Sequence, residues 1–212
     1  MPRFLRGLFG GNDMKNTLLL CTGLSGSGKT YFIKNTLPDG LFYSLRSATT
    51  RPMRNGESEG KPYFFVSEEK FNTMNLATRL WVNEAFWTPE KPKWMYGVPE
   101  FEITEHLGEN LVYDVIQPRY AKQLIDWFKR NDLQKHYNFR VAYFLPPQNN
   151  MQTVAGRANM PDDIDVRRTN TCDPIDFLQA GIKPNYILQP INNLYDDSLL
   201  KHIKHLQKQR LK

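Results

Sequence analysis

The chain has 212 residues, 40% of them hydrophobic and 24% charged, with a formal net charge of +6. That length fits one large domain or a core with small insertions, and the composition is that of a soluble globular protein. No stretch approaches the roughly 18 unbroken apolar residues of a membrane-spanning helix, and only two cysteines, Cys21 and Cys172, occur, which excludes a disulfide framework and suggests a reducing, cytoplasmic setting.

Residues 1–13 carry an apolar stretch interrupted by Arg3 and Arg6, too short and too broken for a secretory signal. With Met14 as the natural start, they are an N-terminal extension or a cloning remnant. The run Thr17–Thr22 predicts a first strand. Directly after it comes Gly23-Leu24-Ser25-Gly26-Ser27-Gly28-Lys29-Thr30, with the spacing of a phosphate-binding P-loop. Glycines at Gly23, Gly26 and Gly28 let the backbone wrap a phosphate closely, with Ser25 and Ser27 between them. Lys29 is placed to reach the outer phosphates as a point charge, and the Thr30 hydroxyl to sit on a magnesium ion. Tyr31–Lys34 continues as a helix, whose N-terminus favours anions.

Leu41–Leu45 is a second strand candidate and Asn110–Val115 a third. A helix over Arg119–Lys129 follows, with Tyr120, Leu124, Trp127 and Phe128 as its apolar face. Phe139–Leu145 is a fourth strand, stopped by Pro146 and Pro147. Tyr186–Gln189 is a fifth, followed by a helix over Leu199–Leu206. Strands alternating with helices imply an α/β fold, a parallel sheet with helices on both faces, and a ligand at the C-terminal strand ends. Two segments break the alternation. Ser47–Glu105 is aromatic-rich and interrupted by Pro and Gly, with short strands expected at Tyr63–Val66 and Leu80–Phe86 as parts of a small antiparallel insert. Asn150–Gly181 is polar, and Pro161 and Pro174 would break any helix there. From Ser198 to Lys212 there are five Lys or Arg and no acid, which reads as a solvated terminal helix complementing its own dipole, or alternatively as a nucleic-acid patch. The four histidines show no catalytic pattern, and no His/Cys metal spacing is present.

After the second strand comes Ser47-Ala48-Thr49-Thr50-Arg51-Pro52-Met53-Arg54-Asn55-Gly56-Glu57. Two arginines three apart, with Pro52 stiffening the link, can converge on one anion through paired hydrogen bonds. Here the chain resembles the guanylate kinase family. The matching pieces are GLSGSGKT, SATTRPMRNGE, EGKPYFFVS, MYG, FLPP, GRANMPDDIDVRR and NYIL, spread from Thr17 to Leu206.

The resemblance implies a three-layer P-loop parallel sheet carrying a small mixed or antiparallel β insert, which binds the acceptor, and a helical lid. The core would be 14–46, 110–149 and 182–212, the acceptor insert 47–109 and the lid 150–181. It further implies transfer of the ATP γ-phosphoryl group, with Mg²⁺, to a nucleoside monophosphate, typically GMP or dGMP. Ser47, Arg51, Arg54 and Tyr63 would hold the acceptor, with Tyr96 joining the grip on its phosphate. Arg157 and Arg168 in the lid would reach the transferring phosphoryl. Asp114, ending the third strand, would influence Mg²⁺ or the acceptor. The base-reading parts depart from the family. Val98 follows Tyr96-Gly97 where a Ser or Thr hydroxyl is usual, the guanine-reading glutamate falls at Glu84 or at Asn83, the family's D-x-D-x-Q-G reads Asp114-Val115-Ile116-Gln117-Pro118 without the second acid, and one usual lid arginine falls at about Thr153. The insertion Trp87–Trp94 is also extra. No membrane is expected as a partner, and nucleic acid is not expected. The alternatives are a P-loop kinase acting on another acceptor, such as a nucleic-acid end, and a non-catalytic guanylate-kinase-like interaction module.

Overall fold

The computed structural model describes residues 15–24, 26–82, 94–115, 117–145, 174–189 and 196–210. It divides into two compact units. One comprises the chain up to Ser44 and from Gly108 onward, the other Leu45–Leu107.

The first unit is built on five parallel strands: β1 (Asn16–Gly23), β2 (Tyr43–Ser44), β7 (Leu111–Val115), β8 (Tyr137–Phe144) and β9 (Tyr186–Leu188). Their order across the sheet is β2-β7-β1-β8-β9, and every neighbouring pair is parallel. Leu18, Leu19, Leu20 and Cys21 of β1 are wholly buried, as a central strand covered on both faces requires. The helices are α1 (Lys29–Asn35), α4 (Pro118–Arg130), α5 (Pro174–Ala180) and α6 (Asp197–Arg210). Pro118 opens α4 at its first turn, where a missing N–H costs nothing, and Lys129 and Arg130 close it against the dipole. Its expected apolar face, Tyr120, Leu124, Trp127 and Phe128, is buried. Phe32 of α1 meets Phe144 of β8 edge to face at 5.3 Å, and side chains this buried each contribute about 1.5–3 kcal/mol. The chain leaves β1 toward β2, while β7 and β8 flank β1 on either side, so the strand order reverses at β1, the kind of switch point at whose C-terminal strand ends α/β sheets bind ligands.

The second unit holds a four-stranded sheet ordered β4-β3-β6-β5, from β3 (Ala48–Thr49), β4 (Phe64–Phe65), β5 (Leu80–Val82) and β6 (Trp94–Gly97). Two short helices join it, α2 (Glu68–Thr73) and α3 (Glu100–Thr104). β3 pairs with β4 in parallel and with β6 antiparallel, so the sheet is mixed. Ala48, Phe71 and Met95 form its buried centre. Ser67 caps α2 by accepting the Lys70 N–H at 3.2 Å.

Several elements differ from the sequence reading. The second core strand shrinks to Tyr43–Ser44, because Leu41 turns back on Pro38 through its N–H and buries its side chain. Pro174 starts a helix instead of breaking one, consistent with a proline's preset backbone at a helix's first position. β3, β6, α2 and α3 lacked a periodic signal of their own. Among the described residues no helix is long and apolar enough to cross a membrane.

Candidate functional site

In the first unit, the loop after β1 takes a conformation that only glycine adopts without strain. Gly23, Gly26 and Gly28 have φ of 146°, 82° and 96°. A Cβ at Gly23 would lie 2.5 Å from the Phe144 carbonyl oxygen. Lys29 is 5% exposed, and its Nζ donates to the carbonyls of Gly23 and Leu24, each at 2.8 Å. The same Nζ lies 3.7 Å from Oδ1 of Asp114. Thr30 Oγ1 donates to the other oxygen of Asp114 at 2.8 Å. Parallel register makes this possible, since Asp114 on β7 sits opposite Cys21 on β1. Burial pushes the Cys21 thiol up, and the Asp114 carboxylate adds to the shift while Lys29 opposes it. The Ser27 hydroxyl oxygen is buried and has no hydrogen-bond partner in the protein.

This donor set suits a hard divalent cation beside a polyphosphate. It offers one hydroxyl and one carboxylate oxygen with an ammonium adjacent. Among the described residues no cluster of three or more His, Cys, Asp or Glu side chains could hold a metal alone. An ion at Thr30 and Asp114 would therefore complete its shell with phosphate oxygens and water, the habit of Mg²⁺.

In the second unit the two arginines occupy a turn. Arg51 is 3% exposed. Its Nη2 donates to Oε1 and Oε2 of Glu57 at 2.8 and 2.9 Å, and its Nη1 to the Pro52 carbonyl at 2.7 Å. The guanidinium carbon lies 5.5 Å from the ring centres of both Tyr63 and Phe65. The Arg54 N–H donates to Glu57 Oε2 at 2.8 Å. Tyr63 and Tyr96 meet edge to face at 5.6 Å. Burial raises the Tyr96 phenol, and the charge of Arg51 opposes this. Thr49 accepts the Arg51 N–H at 3.1 Å. Ser47 is buried at the start of β3, and its carbonyl accepts the Phe64 N–H at 3.0 Å. Arg51, Arg54, Tyr63 and Tyr96 thus share one polar, aromatic-walled cluster.

Residues 15–86 match the family model described as guanylate kinase. Over this stretch the chain is similar to guanylate kinases. It is 48% identical over 60 residues to the guanylate kinase of Thermotoga maritima, covering 27% of this chain and 28% of that protein. It is 31% identical over 141 residues to the guanylate kinase of Legionella pneumophila strain Paris, 64% of this chain and 59% of that one. With the guanylate kinase of Rhodopseudomonas palustris it shares 29% over 150 residues, 66% and 60%. The chain therefore spans less than two thirds of the length of each of these relatives. The crystal structure of guanylate kinase from Anaplasma phagocytophilum superimposes with a TM-score of 0.55 at 18% identity, over 95% of this chain and 89% of that one. The fold is the P-loop α/β fold of guanylate kinases, with its mostly parallel sheet and small mixed sheet.

The structure joins Asp114 to Lys29 and Thr30. Ser25, Asn83, Glu84, Thr153, Arg157 and Arg168 lie outside the described residues. Val98 is fully buried, with its N–H on Thr78 Oγ1 at 3.1 Å and its carbonyl accepting the Ala77 N–H. Sequence reasoning gave no role to Glu57. The signal was present, because Asn55-Gly56 is a turn dipeptide that folds Glu57 back on Arg54, and the Glu57 N–H does bond the Arg54 carbonyl at 3.0 Å with Gly56 at φ 84°.

Proposed function

We propose that this protein is an ATP-dependent nucleoside monophosphate kinase, with GMP or dGMP as the acceptor. The observation that carries this reading is the joining of Lys29, Thr30 and Asp114 around a left-handed glycine loop. Similarity to guanylate kinases supports the choice of acceptor.

In this reading Gly23, Ser25, Gly26, Ser27 and Gly28 wrap the ATP phosphates with backbone N–H groups. Lys29 leaves the Gly23 and Leu24 carbonyls to hold the outer phosphates. Thr30 and Asp114 would hold Mg²⁺, which would neutralise charge on the phosphate oxygens. Residues 47–109 form the acceptor arm. Arg51, Arg54, Tyr63 and Tyr96 hold the acceptor phosphate with Ser47 beside it, and by resemblance Glu84 would read the base. By resemblance to guanylate kinases, residues 150–181 would serve as the lid, and Arg157 and Arg168 would act on the transferring phosphoryl. Phosphoryl transfer needs in-line positioning and concentrated positive charge more than covalent help. Lys29 would supply such charge to the donor phosphates, and Arg51 and Arg54 to the acceptor phosphate.

The deciding experiment measures ADP formation with ATP and Mg²⁺ against GMP, dGMP, dTMP, AMP and UMP, with single-stranded oligonucleotides as a further arm. Turnover with GMP or dGMP is expected. Turnover only with oligonucleotide ends would move the activity to a different acceptor, and no turnover with any of them would overturn the kinase reading.

A further inference from the structure

We propose that Glu57 is a positioning residue for the acceptor, fixing the two arginines of the acceptor arm as one unit. The inference rests on reading residues 47–109 as that arm. Glu57 holds Arg51 by its guanidinium and Arg54 by its backbone N–H, so a single carboxylate sets the place of both. The side chain gets there because the Arg54–Glu57 turn, with Gly56 in the left-handed region, returns the chain on itself.

Three physical points separate this from a decorative surface pair. First, Arg51 is buried, and a buried guanidinium without a counter-charge is strongly disfavoured. Without Glu57 the group is expected to leave its place beside the Tyr63 and Phe65 rings for solvent. Second, a guanidinium has five N–H donors, and the contacts to Glu57, Pro52 and the Tyr96 phenol occupy at most four of them. Arg51 can therefore keep Glu57 and bind an anion at the same time. Third, the surroundings of Glu57 favour its ionised form. Burial alone would raise its carboxyl, but hydrogen bonds from Arg51 and the Arg54 N–H outweigh this and hold it below the ordinary carboxylate value. Pre-positioned donors lose little freedom when the phosphate arrives, which is how a rigid site gains affinity.

The test uses steady-state kinetics of Glu57→Gln and Glu57→Asp with the best acceptor of the monophosphate panel, alongside thermal melts. Replacing a charged partner by a neutral one should raise the acceptor KM of Glu57→Gln about tenfold to a hundredfold, with kcat falling less than KM rises. The KM for ATP should stay within about twofold. Glu57→Asp restores the charge at shorter reach, and its acceptor KM should lie between those of wild type and Glu57→Gln. A folded Glu57→Gln with unchanged acceptor KM overturns the inference and leaves the kinase reading intact. So does a loss confined to kcat, or failure of both variants to fold, since either makes Glu57 only a staple of the turn. If Glu57→Gln alone fails to fold, Glu57→Asp decides by the same criterion. Wild-type protein that phosphorylates no monophosphate overturns the reading of residues 47–109 as a monophosphate-binding arm, and this inference with it.

Discussion

The Thr30 hydroxyl donates to Asp114 at 2.8 Å, tying the first turn after the glycine loop to the end of a strand 84 residues further along the chain. In the proposed reading this hydroxyl and carboxylate would hold Mg²⁺, which takes hard oxygen ligands. Asp114→Asn keeps the shape and removes the charge. Its turnover should fall about tenfold to a hundredfold at fixed Mg²⁺, and part of the loss should return as Mg²⁺ is raised. A Mg²⁺ titration of ADP release checks this. An unchanged Mg²⁺ dependence would mean that Asp114 does not hold the ion.

Lys29 is buried against the loop's own carbonyls, so its removal acts on both stability and chemistry. Lys29→Ala should lower turnover by roughly 10²–10³, the usual cost of losing one charge-stabilising donor in a transition state. Losing the two hydrogen bonds should cost about 1–3 kcal/mol in a thermal melt. The two readouts are separable when activity is measured well below the variant's Tm. Substantial activity in folded Lys29→Ala would show that the loop is not the ATP site.

Gly23 and Gly56 both have positive φ, but only Gly23 is crowded. A Cβ at Gly23 meets the Phe144 carbonyl oxygen at 2.5 Å, and backbone there cannot move aside without disturbing β8. Gly23→Ala should cost about 2 kcal/mol or more, a fall in Tm of roughly 4–8 °C. At Gly56 nothing lies within 4 Å, so Gly56→Ala should show only the left-handed backbone penalty of about 1 kcal/mol. Equal losses at the two positions would contradict the crowding argument.

The sequence makes some of this legible and hides the rest for physical reasons. The β1 strand and its loop are readable because an apolar run and glycine spacing are both local signals. The apolar face of α4 is readable because a 3.6-residue period persists through thirteen residues. β3 has two residues, and its existence depends on pairing with Phe64–Phe65 and Tyr96–Gly97, which no local pattern announces. The approach of Asp114 to Thr30 follows from β7 lying beside β1, a fact of strand order rather than of composition. Val98 stands where the family usually offers a hydroxyl. The structure shows it packed inside, with Thr78 below it supplying the hydroxyl that accepts its N–H.

Glu102 is 0% exposed and carries a carboxylate. Arg46 satisfies it through Nε at 2.9 Å, Nη2 at 3.0 Å and its backbone N–H at 3.0 Å, while the guanidinium lies over the Phe64 ring. Removing the partner of a buried charge is far worse than removing the pair. Arg46→Ala should destabilise the protein by about 3–5 kcal/mol, whereas Arg46→Ala with Glu102→Leu should recover part of that loss. Urea melts of the single and double variants provide the comparison. A single variant within about 1 kcal/mol of wild type would show that water reaches Glu102.

His202 on α6 sits beside Thr17 of β1, with its Nε2 3.2 Å from the Thr17 hydroxyl and its ring stacked on Tyr186 of β9. Burial lowers its pKa, and the neighbouring charges of Arg140 and His205 lower it further. The folded protein therefore binds a proton at His202 less readily than the unfolded chain does. Stability contributed by the neutral ring is present above the unfolded value of about 6.5 and is lost as the pH falls through the lower folded value. The wild-type Tm should decline between about pH 7 and pH 5, and His202→Gln, which keeps a polar group and cannot titrate there, should decline less steeply. His136, whose pKa is also lowered chiefly by burial, contributes in the same direction in both proteins and cancels from the comparison. Parallel Tm profiles for wild type and His202→Gln would show that α6 docks on the sheet without regard to the charge of this ring.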